Sequence, residues 1–166
     1  EEFQKAKVKA ETPDLTPKAK PDLIPKTVIV ERIKKRGEID FSSNTILFDY
    51  GSWKLRPSSR KQSQEIAAAI NDVSLKEIPF FYVDGHTCNI GTDDNNCILS
   101  ARRANSVVRY LVEHGGVARN KLVARGFGER VSIASNDSEE GRGQNRRVVL
   151  KSGAGHTKSE DEMSCP

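Results

Sequence analysis

No apolar stretch in these 166 residues approaches the roughly 20 needed to cross a bilayer as a helix; the longest are short runs such as Ile78-Pro-Phe-Phe-Tyr-Val83. A helical membrane span is therefore not expected. Cysteine is scarce: Cys88, Cys97 and Cys165 are too few for a disulfide-built scaffold, and they lack the paired spacing of a zinc site. Aromatic residues make up 6% and do not interleave with Arg102-Arg103 or Arg146-Arg147, so these arginines do not read as a nucleic-acid surface. Gly126-Phe-Gly-Glu-Arg-Val131 lacks the third glycine of a dinucleotide loop and reads as a turn. His114 and His156 have no neighbouring nucleophile and carboxylate in a catalytic order, and no paired carboxylates stand out. The expectation is a protein that is not an enzyme and needs no cofactor and no metal. The chain also starts at Glu1 without Met or a basic-then-apolar leader, which we read as a processed or truncated piece whose targeting segment lies elsewhere.

What is present suits one folded domain. Basic residues number 27 against 23 acidic, a mixed surface with a net charge of +4 that attracts acidic polymers only weakly. Four of the seven prolines stand at positions 13, 17, 21 and 25, with Lys, Glu and Asp between them. That spacing forbids a helix and favours an extended, solvated segment, reaching on the order of 80 Å at about 3.1 Å per residue. We read residues 1–36 as a tether, 37–152 as the folded domain and 153–166 as a polar tail.

Within the domain, "EIDFSSNTILFDYGS" holds two short strand-forming runs broken at Ser42-Ser-Asn44. From Pro57 the residues Ile66, Ala69, Ile70 and Val73 take helical spacing, and "PFFYV" at 79–83 reads as a strand. Cys97, Ala101, Ala104, Val108 and Leu111 mark a second helix, stopped by Gly115-Gly116. Strands follow at 121–125 and 147–150, separated by a polar loop. The order β-α-β-α-β-β predicts an α/β (α+β) two-layer sandwich, a mixed sheet with both helices on one face and the last two strands side by side.

The runs "FDYGSWKL", "GHTCNIGTDDNNCILSARRANSVVRYL", "VARGFGER" and "SNDSEEGRGQNRRV" together resemble the OmpA-like peptidoglycan-binding domain of outer-membrane proteins, peptidoglycan-associated lipoproteins and flagellar-stator subunits. The resemblance covers about residues 45–150. It implies a non-catalytic module that holds the diamino-acid peptide stem of the cell wall. The partner it implies is peptidoglycan, in the periplasm or cell envelope, with membrane contact only through a segment outside this chain. Carried onto this sequence, the binding set is Asp49, Thr87, Cys88, Asn96, Leu99, Ser100 and Arg103, with Arg103 holding the ligand carboxylate in its planar donor fork. Asn96, Ser100 and Arg103 share one face of a helix. The Asn-Arg-Arg-Val run is implied to be mainly structural.

Cys88 breaks the pattern, because the family's usual Gly-His-Thr-Asp has an aspartate there, aimed at the ligand ammonium. A Cys88–Cys97 disulfide pinning the loop to the helix is the reading we take, worth about 2–3 kcal/mol in the chain-entropy account. Two unpaired buried thiols, a reactive thiolate at the helix start and a metal site with His86 are the other readings. Asp93 or Asp94 could restore the lost negative charge. Cys165, the odd one, is expected to stay reactive or to pair between chains. The rival to wall anchoring is an OmpA-like fold that has lost it and docks protein partners of an envelope complex.

Overall fold

The computed structural model describes residues 22–43, 45–155 and 164–166. Its first helix, α1 (Lys26–Arg36), follows Pro25, whose extended backbone suits a helix entry, and ends at Gly37 with φ 76, where the glycine N–H returns to Ile33 O. Ile29, Val30 and Ile33 fall on one side of it and are buried, Ile29 completely. Just before it, the Gln62 side chain donates to Ile24 O and accepts from Ile24 N–H, at 2.9 and 2.8 Å. The expected extended tether is thus corrected for residues 24–36, which pack on the domain; residues 1–21 lie outside the described residues. Ile29→Ala should lower the free energy of unfolding by about 2–4 kcal/mol, the usual cost of such a cavity. A loss near zero in urea denaturation would remove α1 from the core.

After α1 come β1 (Glu38–Ser42), α2 (Arg60–Ile70), β2 (Phe81–His86), α3 (Asp93–Glu113), β3 (Leu122–Gly128), α4 (Glu139–Asn145) and β4 (Arg147–Ser152). The second strand-forming run, after Ser42, makes only an isolated bridge between Phe48 and Leu55. The sheet order is β1-β4-β2-β3; β4 is antiparallel to both neighbours, and β2 and β3 are parallel through the α3 crossover. The two-layer mixed sheet is as expected, but β3 and β4 are not neighbours. Residues 147–150 are buried throughout, so β4 takes the position that has a hydrogen-bonding partner on each side.

Alternate strand residues Ile39, Phe41, Phe81, Val83, Leu122, Val148 and Leu150 form one core with the apolar sides of α1, α2 and α3. The opposite face of the sheet holds Tyr82, Asp84, Arg125 and Val149, all buried.

The cysteines pair differently from the expectation. Cys97 is bonded to Cys165, and Cys88 is free and buried. Cys97 lies nine positions after Cys88, but their sulfurs meet different neighbours: Cys88 Sγ lies 3.8 Å from Arg146 Nη1, while a Cβ added at Gly128 would sit 3.3 Å from Cys97 Sγ. Cys165 also donates its N–H to Gly126 O at 2.6 Å, so the terminal residues are tied to β3 and the start of α3. Residues 156–163 of the expected polar tail lie outside the described residues.

Candidate functional site

A cleft of about 950 Å³ opens where the 42–53 segment, the loop after β2, the first turns of α3 and the α4–β4 segment converge. Two glycines set its depth by letting α3 press onto the sheet. A Cβ at Gly85 would overlap Ser100 O, and one at Gly126 would lie 2.6 Å from Ala101 N. Ser100 is fully buried at this contact, donating to Cys97 O and accepting from Gly128 N–H, both at 2.9 Å. It holds the helix down rather than lining the cleft.

The loop after β2 is clamped by Asn96, whose Nδ2 donates to Cys88 O and Ile90 O at 3.3 and 3.1 Å. This does the work that the sequence assigned to a Cys88–Cys97 bond. Thr87 donates its N–H to Gly128 O at 2.8 Å, and its buried hydroxyl has no partner among the described residues. Thr87, Cys88, Asn96, Leu99 and Arg103 all line the cleft. Asp49 does not; its carboxylate is mostly exposed and pairs with Arg56 at 3.4 Å. Asp93 and Asp94 occupy the solvent-facing first turn of α3, and Asp93 pairs with Arg130 at 3.2 Å. Neither lines the cleft, so they do not replace a charge at Cys88.

Arg103 is half-buried. It donates from Nε to Ser52 O at 2.9 Å and from Nη2 to Asp49 O at 3.4 Å, with its guanidinium 5.0 Å from the Phe48 ring centre. Among the described residues no carboxylate pairs with it. Burial, and then the like charge of Arg146, pull its pKa down to about 10, which leaves it a cation at neutral pH. Arg102 stacks 4.4 Å from the centre of the Trp53 ring, and Ser106 donates to Trp53 O, so the 48–53 segment is strapped to α3. Tyr50 and Trp53 remain 65% and 45% exposed at the rim.

The sequence reading missed the α4 side of the cleft. Ser138 accepts from Gly141 N–H at 3.0 Å and starts a short helix that brings Glu139, Glu140 and Arg146 to the site. Glu139 pairs with both Arg142 and Arg146. Asn145 and Arg147 fit the implied structural role. Asn145 Oδ1 accepts from Ile133 and Ala134 N–H at 2.8 and 3.0 Å, and Arg147 donates to Val131 O at 3.1 Å. Arg146 departs from it, reaching Cys88 Sγ at 3.8 Å and pairing with Glu139 in the cleft.

His86, beneath the loop, stacks on Phe127 with ring centres 5.0 Å apart, and its buried Nδ1 has no partner among the described residues. Burial, followed by Arg147 and Arg125, takes its pKa from the ordinary 6.5 to about 3. The unfolded chain therefore takes up a proton below about pH 6.5 that the folded chain refuses until about pH 3, so stability falls as pH is lowered through that window. His86→Phe should flatten the fall, by at most about 1.4 kcal/mol per pH unit. Identical pH dependence of urea midpoints in the two proteins would contradict this.

A family model described as the OmpA family matches residues 47–146. The chain belongs to the OmpA family. Among relatives, it is 39% identical to YfiB of Escherichia coli over 108 residues, 65% of this chain and 66% of that protein. It is 33% identical to the peptidoglycan-associated lipoprotein of Pseudomonas aeruginosa over 107 residues, 64% of this chain and 61% of that one. The cell wall anchor of the T6SS from Pseudomonas aeruginosa superposes with a TM-score of 0.60 at 26% identity, covering 81% of this chain and 98% of that one. The chain spans 56–66% of the length of the first curated relatives it matches. Among the described residues no helix is long and apolar enough to cross a membrane.

Proposed function

We propose that this OmpA-family domain is a non-catalytic periplasmic module that holds an envelope protein to peptidoglycan, gripping a carboxylate of the diamino-acid stem with Arg103. The observation that carries the reading is the Arg103 guanidinium: cationic, half-buried at the cleft and without a carboxylate partner among the described residues. Such a group gains from an incoming carboxylate because charge-assisted hydrogen bonds are strong where solvent is partly excluded. Likeness to a peptidoglycan-associated lipoprotein and to a cell wall anchor supports the same partner. Membrane contact, in this reading, comes through a segment outside the chain described.

A second reading, docking of a protein partner of an envelope complex, draws on Cys88, which gives the cleft no fixed carboxylate, and on the exposed Tyr50, Trp53 and Ile98 at the rim. Co-sedimentation with purified sacculi separates the two. Wall anchoring predicts that the wild type sediments and Arg103→Ala stays largely in solution. Failure of the wild type, with recovery in Cys88→Asp, selects partner docking.

A further inference from the structure

We infer that the cleft selects wall stems whose side-chain amine is acylated, as in a cross-link, over stems that carry the free ammonium. The inference rests on the stem reading above and concerns what surrounds Cys88. Cys88 is 6% exposed, and its sulfur lies 3.8 Å from Arg146 Nη1. The nearest carboxylate of that cluster, Glu139, is already held by Arg142 and Arg146. Thr87, 5% exposed, also lines the cleft, and its buried hydroxyl has no partner among the described residues. Arg103 and Arg146 both line the cleft, and the like charge of Arg146 lowers the Arg103 pKa.

An ammonium brought to this place with its carboxylate on Arg103 meets a sulfur already engaged by a guanidinium and, among the described residues, no buried uncommitted carboxylate of the cleft. Like charges at such range repel unless water or a counter-charge intervenes. Glu140, the other cleft carboxylate, is exposed, where an ion pair contributes little. An amide suits the same surroundings. Its carbonyl can accept from the Arg146 guanidinium, and it carries no charge to be repelled. Converting the ligand amine to an amide removes the mismatch and leaves the Arg103 carboxylate contact in place.

The test titrates the full chain by calorimetry with two stem peptides that differ only in acetylation of the diamino acid's side-chain amine. The acetylated peptide should bind the wild type about tenfold more tightly. Cys88→Asp, which installs a carboxylate, should reverse the order, and Arg146→Gln, which removes the opposing cation, should narrow the gap. Cys88→Ser adds no carboxylate and should preserve the wild-type order, so a folding defect in Cys88→Asp leaves two variants to decide. A wild-type preference for the free amine, or the same ratio of affinities in all four proteins, overturns the inference alone. Binding of neither peptide by the wild type overturns the stem reading and this inference with it.

Discussion

Asp84→Ala should lower the free energy of unfolding by about 3–5 kcal/mol, the usual cost of stranding one partner of a buried ion pair. Asp84 accepts from Arg125 Nε and Nη2, both at 2.7 Å, and the two side chains are 6% and 8% exposed. They face each other across β2 and β3 in register, and the guanidinium lies 3.6 Å from the Tyr82 ring centre and 5.2 Å from that of Phe127. Removing the carboxylate leaves a buried cation with aromatic faces but no counter-charge. Asp84→Leu combined with Arg125→Met should recover most of the loss, because it removes both charges of the pair. Urea denaturation of the three proteins decides; a loss below about 1 kcal/mol in Asp84→Ala would mean that water reaches the pair. The pair matters to function because β2 ends just before Thr87, a cleft-lining residue whose N–H bonds to Gly128 O at the end of β3.

Arg103→Ala should weaken binding of a stem peptide about ten- to a hundredfold, since charge-assisted hydrogen bonds of this kind contribute about 1.5–3 kcal/mol. Arg103→Lys should recover little of it. An ammonium keeps the charge but cannot brace the 49–52 carbonyls and meet a carboxylate with the same planar fork. Calorimetry on the three proteins reads the difference, and circular dichroism checks that the fold persists. Equal affinity of wild type and Arg103→Ala would move the carboxylate contact elsewhere in the cleft.

How much of this was legible in the sequence depended on how local the controlling interaction is. The α2 and α3 helices and the β2, β3 and β4 strands follow from apolar spacing that each segment carries by itself. The α1 helix carries the same signal in Ile29, Val30 and Ile33, but the evenly spaced prolines just before it drew the extended reading past Pro25. Cysteine pairing is not local. Spacing brings Cys88 and Cys97 near each other, yet the directions of their side chains, set by the loop and by the first turn of α3, commit Cys88 to Arg146 and Cys97 to Cys165.

The site divides in the same way. Asn96, Ser100 and Arg103 do recur on one side of α3, but that side runs against the sheet edge. Ser100 disappears beneath Gly85 and Gly126, and only the positions on either side of it line the cleft. Glu139 and Glu140 were hidden in a run that reads as polar loop, since Gly141 and Gly143 weaken any helical signal. The helix forms because Ser138 caps it and Asn145 anchors its end with buried hydrogen bonds.

The most direct test of the central claim pairs a change in the protein with a change in the ligand. Wild type and Arg103→Ala are titrated with a stem peptide carrying its free carboxylate and with the same peptide amidated there, which isolates the contact between the two groups. The account predicts strong coupling: amidation costs the wild type about ten- to a hundredfold in affinity and costs Arg103→Ala almost nothing. Losses that simply add, with amidation equally harmful in both proteins, would contradict it and separate Arg103 from the wall carboxylate.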